Sequence, residues 1–269
     1  MLLSPCRPTT GLNQQPHNTM LIMAKNKVAF EQLKAVQTPA GTDSFTPIPH
    51  AHLAALSRVA IERAGLTIEA EEHALARGGL RYFGGFALRG ADITGDDRKL
   101  VFGLRNSGDK SFAASVCIGT SMLVCDNLHF SANIKLARRH TTNILADLPR
   151  VLADAVGRCV SQWNDMGARI KSYQETEITK QHAADLLVDL VDAKALPARD
   201  IYNVMEEFRN PRHAEFKGGT MWTLFNAYTE KMKGSDLTKL PYRTMAAESI
   251  LDRISGFKVQ EVDAVVLAN

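Results

Sequence analysis

The periodicity of this chain changes once, near residue 142, and that change limits the fold more than any single motif. From Leu66 to Leu128, short apolar runs are separated by glycine-containing turns. Leu100, Phe102 and Leu104 alternate with Val101, Gly103 and Arg105, and further runs cover 112–118 and 122–125. Period-two alternation marks a strand with one buried face. The turns fall at Gly78-Gly79, Gly95-Asp96-Asp97, Ser107-Gly108-Asp109 and Gly119-Thr120-Ser121. Connections this short join antiparallel neighbours, because parallel pairing needs a long crossover.

Beyond residue 142 the apolar spacing becomes threes and fours: Leu145, Leu148, Leu152, Ala155, Cys159, Trp163, Met166, Ile170 and Tyr173. The stripe predicts one helix of about thirty residues, roughly 45 Å at 1.5 Å per residue. It would start at Asp147, with Pro149 in its first turn. Such a helix covers a core; packing between copies in a homo-oligomer is its other use.

Flanking elements follow from caps and breakers. A short polar helix is predicted over 28–36, then a loop carrying Pro39, Pro47 and Pro49. A helix over 50–64 follows, with Leu53, Leu56, Val59, Ala60 and Ala64 facing the core and Gly65 as its stop. Thr179 caps a helix running to Lys194, Pro197 opens one to Phe208, Thr220 starts a third that ends before Gly234, and Pro241 opens a fourth to Ile254. The fold class is α+β: an antiparallel β-meander packed with a long helix, followed by a C-terminal helical region. Residues 1–22 read as a disordered or spurious N-terminal extension, since Met23-Ala24-Lys25 looks like a natural start. Residues 23–175 form the α+β core domain, and 176–269 the helical C-terminal region.

With 269 residues, 45% of them hydrophobic, the chain can bury a large core. No run approaches 18 apolar residues, so no membrane partner is expected. Cys6, Cys117, Cys125 and Cys159 form no CxxC pair and no disulfide framework, which makes a reducing cytoplasm the expected compartment. Net charge is +3, but seven basic residues (Arg98, Lys99, Arg105, Lys110, Lys135, Arg138, Arg139) lie between 98 and 143 against Asp109 and Asp126. A basic stretch of this kind attracts phosphate or nucleic acid; a solvated charged face is the alternative.

Three constellations bear on chemistry. Arg105, Asn106, Ser107, Asp109, Lys110 and Ser111 crowd one turn between apolar runs, where a plain hairpin needs only Gly and Asn or Asp. Main-chain N–H groups there suit an anion nest, with Gly108 supplying freedom for a positive φ; a hairpin held by Asx-type bonds is the competing reading. Lys135, Arg138 and Arg139, at helical spacing, would project to one side and suit phosphate contact. Asp126, His129 and His140 are the only candidate metal set, and their spacing is not diagnostic. His50-Ala51-His52 reads as capping or packing. Tyr82, Phe83 and Phe86 around Gly84-Gly85 either stack on bases or fill a core. No phosphate-binding loop, dinucleotide fingerprint, hydrolase elbow or zinc motif occurs, so no cofactor is expected and the enzyme case is weakened.

Phe45-Thr-Pro-Ile-Pro-His50, Gly103-Leu-Arg-Asn-Ser107 with Asp109-Lys-Ser-Phe112, Val124-Cys-Asp-Asn127, Arg138-Arg-His-Thr141 and Gly219-Thr-Met-Trp-Thr-Leu-Phe-Asn-Ala227 together resemble the phage- and plasmid-associated family catalogued as domain of unknown function 932. In that family the turn usually reads Asn-Ser-His-Asp, and Gly108 stands here at the His position. The departure favours binding or structure over catalysis at the turn. The resemblance implies mobile-element biology in a bacterial cytoplasm.

The expected function is nucleic-acid handling without catalysis, with single-stranded DNA binding or annealing as its concrete form. Arg105, Asn106, Ser107, Lys110, Lys135, Arg138 and Arg139 would form the interface. The alternatives are a metal-assisted hydrolase or nuclease using Asp109, Asp126, His129 and His140, and an interaction protein that binds a host factor.

Overall fold

The computed structural model describes residues 26–258 except 92, 94–97, 123–127, 139, 234 and 236–238, with backbone alone at 121, 122, 128–138 and 241. The extension at 1–22, the turn at Gly95–Asp97, the Cys125-Asp126-Asn127 corner and Arg139 therefore lie outside the described residues.

Six strands form one antiparallel sheet in sequence order: β1 (Lys27–Val28), β2 (Thr67–Ala76), β3 (Arg81–Arg89), β4 (Arg98–Ser107), β5 (Ala114–Met122) and β6 (Leu128–Arg138). The inner face is set by the predicted alternation. Phe86 pairs with Phe102 and Phe102 with Ile118, and Leu104 pairs with Val116, all of them buried. Burying each such side chain stabilises by roughly 1.5–3 kcal/mol.

Gly119 is not a turn residue. β5 runs straight through it, and the glycine sits at a register shift against β6, where a bulge tolerates the missing side chain. The basic stretch at Lys135 and Arg138 is strand, not helix, so the helical spacing proposed for that cluster is corrected.

α1 (Phe30–Lys34) and α2 (His50–Arg63) lie between β1 and β2 in the chain. α2 ends as predicted, with Gly65 at φ 74° after the Ala64 cap. Its inward face is rotated from the expected one: His50, Leu53, Ala54, Ser57 and Ile61 are buried, while Val59 is 41% exposed.

The predicted thirty-residue helix is broken into α3 (Ile144–Gly157) and α4 (Cys159–Glu175) by the single residue Arg158, whose N–H bonds to Ala155 O at 3.2 Å. α3 begins at Ile144, three residues earlier than expected. Pro149 therefore lies in its second turn, where it forgoes one helical hydrogen bond. Ile144 takes the core place predicted for Leu145, which is 40% exposed.

α2, α3 and the first half of α4 cover the inner face of the sheet as one hydrophobic cluster. A second cluster joins Tyr173 of α4 to α5 (Lys180–Asp192), α6 (Ile201–Arg209), α7 (Met221–Met232) and α8 (Leu240–Ser255). The predicted caps hold: Thr179 accepts from His182 N at 3.2 Å, and Thr220 from Thr223 N at 3.3 Å. Between the clusters, buried Arg169 of α4 bonds Asp252 of α8 at 2.9 and 3.1 Å, and Tyr173 Oη donates to the same carboxylate at 2.7 Å. No helix among the described residues is long and apolar enough to cross a membrane.

Candidate functional site

One end of the sheet gathers the residues that the sequence singles out. The end of β2, the start of β3, the end of β4, the start of β5 and the end of β6 meet there, through Ala76↔Arg81, Arg81↔Ser107 and Ala114↔Arg138. The β2–β3 hairpin closes through Gly78 and Gly79, both at positive φ, and Gly108 N of the next turn donates to Leu80 O at 2.7 Å.

Asn106 is fully buried at this end, beneath the turn. Its Nδ2 donates to Ile48 O at 2.7 Å and to His50 Nδ1 at 2.9 Å, and its Oδ1 accepts from His140 Nε2 at 2.8 Å. A carbonyl can only accept, so the Ile48 contact fixes the amide orientation and every other role follows. His50 Nδ1 is an acceptor, and its Nε2–H donates to Gly79 O at 2.9 Å. Burial lowers both histidines below the usual imidazole value, and the neighbouring His50 adds to the effect at His140. Both rings are therefore neutral at neutral pH.

Phe45 packs on the His140 ring at 5.0 Å, Thr46 N donates to His140 O at 2.9 Å, and Lys110 lies 4.9 Å over Phe45. Four of the segments quoted for the family resemblance thus meet at one point.

A second buried pair adjoins the first. His50 stacks on Tyr82 at 5.4 Å, and Tyr82 Oη lies 3.0 Å from His73 Nδ1. Tyr82 leans along β3 over Gly84, where a Cβ would fall 2.1 Å from its hydroxyl. Glycine is required there by close approach.

The turn itself is closed from within. Ser107 Oγ donates to Phe112 O at 2.7 Å, Phe112 N donates to Ser107 Oγ at 3.2 Å, and Ser111 N donates to Asp109 Oδ1 at 3.1 Å. Arg81 Nε donates to Asp109 Oδ2 at 2.8 Å. Burial pushes the Asp109 carboxyl up, but its bonds from Ser111 and Arg81 outweigh this and hold it below the usual range. The positive φ belongs to Lys110, at 61°, and not to Gly108. Gly108 answers a different need, since a Cβ there would lie 3.0 Å from Pro39 Cγ.

On the opposite face of the same end, Arg105 sits between aromatic rings. Its guanidinium carbon is 5.1 Å from the Phe112 centroid and 5.5 Å from that of Tyr242, whose hydroxyl accepts from Arg105 Nη2 at 3.1 Å. Arg81 approaches Phe112 at 5.9 Å, and Phe83 packs on Phe112 at 5.8 Å. Tyr242, from the first turn of α8, is 45% exposed. This end of the sheet thus presents guanidinium groups and aromatic rings side by side.

Of the predicted interface residues, Arg105, Asn106, Ser107 and Lys110 meet at this end. Arg138 brings its backbone there as the last residue of β6, Lys135 lies three positions inward opposite Cys117, and Arg139 is outside the described residues. Asn106 and Ser107 are fully buried, and Lys110 is exposed. Tyr82 and Phe86 are core residues, while Phe83 is half-buried.

Of the candidate metal set, Asp126 and the His129 side chain are outside the described residues, and His140 Nε2 is committed to Asn106. Among the described residues, no three His, Cys, Asp or Glu side chains gather to hold an ion. Burial pushes the Cys117 and Cys159 thiols up to about 12, so neither is a thiolate at neutral pH. Sequence reasoning missed the joining of His50 to Asn106 and the arrival of Tyr242 beside Arg105. The first left a trace in the quoted Phe45–His50 segment; the second left none.

The family model described as Domain of unknown function (DUF932) matches residues 40–251. No curated protein and no solved structure matches the chain.

Proposed function

The chain belongs to the DUF932 family, and on that premise we propose that it is a phage- or plasmid-derived nucleic-acid-handling protein that binds or anneals single strands without catalysis. The observation that carries this reading is the Arg105–Tyr242 pair: a guanidinium held against an exposed ring, flanked by Phe112 and Arg81. Single-strand binders combine ring faces for bases with cations for phosphates, and unstacked bases need no groove to be read. Arg105 and Lys110 meet phosphates in this picture, and Lys135, Arg138 and Arg139, whose side chains lie outside the described residues, are proposed as further phosphate contacts. Asn106 and Ser107 hold the turn from inside.

The test is fluorescence anisotropy of the full chain with labelled single- and double-stranded oligonucleotides over a salt series. Phosphate contact requires affinity to fall steeply with salt. Tyr242→Ala is expected to weaken single-strand binding by about tenfold, in line with roughly 1–3 kcal/mol per stacked base. Binding that ignores salt, or that survives Arg105→Ala and Tyr242→Ala unchanged, overturns the reading.

A further inference from the structure

The helical region carries a second, separate concavity. A cavity of about 360 Å³ opens between the start of α5, the end of α6 and the loop before α7. Lys180, Arg209 and Lys217 reach it from these three elements, and among the described residues no carboxylate lines it. All three are exposed, and among the described residues none has an ion-pair partner within 4 Å.

Several other surface cations are paired, while exposed Arg63, Arg77 and Lys194 also have no ion-pair partner within 4 Å among the described residues. Lys34 pairs with Glu31, Arg150 with Asp154 and Lys171 with Glu175. Arg212, only three residues beyond Arg209, is held by Glu207 at 3.0 Å and by Glu230 at 3.1 Å. Three like charges converging on one hollow repel each other, and an anion is what relieves that. The first turn of α5 adds the positive end of its helix. Ile178, Phe208 and Pro211 add apolar surface to the same lining. Cations and apolar side chains lining one cavity suit a ligand with a charged head and a flat, less polar body, and the volume is near the lower end of small-molecule sites.

We propose that this cavity binds a phosphomonoester dianion carried on a nucleoside-like body, with Lys180, Arg209 and Lys217 gripping the phosphate. The chemistry is shared by a free nucleoside monophosphate and by the 5′-phosphorylated end of a strand. The site stands independently of the Arg105–Tyr242 face.

The experiment is isothermal calorimetry of the full chain with adenosine 5′-monophosphate, adenosine and inorganic phosphate. The monophosphate is expected to bind at least about tenfold more tightly than adenosine, and Arg209→Ala and Lys217→Ala each to weaken it by about tenfold, the scale of one lost charge-assisted contact. Arg63→Ala, which removes a charge from α2, should leave binding unchanged. Because the substituted side chains are exposed and unpaired, the variants should melt with the parent protein.

A 5′-phosphorylated oligonucleotide that displaces the monophosphate, where its 5′-hydroxyl counterpart does not, identifies a strand end as the source; displacement by neither identifies the free monophosphate. Equal affinity for adenosine and its monophosphate, binding unaffected by both substitutions, or no binding of the monophosphate at about 10 mM overturns the proposal. Strand binding at the Arg105–Tyr242 face is read separately, by anisotropy in the same variants.

Discussion

His140 Nε2 donates to Asn106 Oδ1 across 2.8 Å, and through that amide the segment leaving β6 is tied to the loop entering α2. Asn106→Ala strands the Ile48 carbonyl, His50 Nδ1 and the His140 N–H in a buried pocket. Each unsatisfied group costs about 1–3 kcal/mol, so urea denaturation should show a loss of at least ~3 kcal/mol. A loss below ~1 kcal/mol would mean that the network does not hold this end of the sheet.

Acid should act on the same bonds. The folded state lowers the pKa of His50 and His140 below 6.5, so the unfolded chain binds more protons just below that pH. Stability is therefore full above pH 6.5 and falls as pH drops through it, until the folded-state values are reached. His50 is the sensitive ring, because a proton on Nδ1 would face the Asn106 N–H. Melting temperatures between pH 7.5 and 5 should fall in the parent protein, and the slope should flatten in His50→Gln. Asp109 works in a lower window, losing its contribution only as pH falls below the ordinary carboxylate range.

Gly84→Ala should be costly although the site is a strand. Its Cβ would lie 2.1 Å from Tyr82 Oη and 2.8 Å from Cζ, which pushes the ring off His73. Overpacking of this kind costs roughly 1–3 kcal/mol. Combined with Tyr82→Phe, which removes the nearer atom, the double variant should lose less than the two singles together. Strict additivity would show that the two residues do not press on each other.

Gly108→His restores the residue that the family resemblance expects and should destabilise by about 1 kcal/mol, because the added Cβ crowds Pro39 Cγ at 3.0 Å and Cδ at 3.1 Å. Pro39→Ala deletes those two atoms and should recover most of the loss. A histidine at 108 tolerated without any change at Pro39 would refute this account of the glycine.

The meander and the C-terminal caps were legible because their signals are local: glycine pairs at hairpins, and threonine or proline at helix starts. β6 carries a local signal as well. Leu128, Phe130, Ala132, Ile134 and Leu136 alternate with His129, Ser131, Asn133 and Lys135, but the basic residues at its end drew a helical reading. The break at Arg158 is invisible to periodicity, since the apolar stripe keeps its phase across one residue. Gly119 shows why a glycine between apolar runs is ambiguous: a bulge and a turn ask for the same residue. Most of the site was hidden, because Asn106 meets partners 58, 56 and 34 positions away, and Tyr242 meets Arg105 across 137.

Those separations also rank the contacts of this end by their cost. From β2 to β6 each strand pairs with its successor in the chain, so these pairings are short-range closures that cost little chain entropy. The His50–Asn106–His140 knot closes far longer loops and has no geometry until both flanking segments arrive. In chain entropy the strand pairings are therefore the cheaper contacts and the knot the costlier one. The site is the part of this end that draws most on the rest of the fold, since its three residues have no reason to meet except the elements that carry them.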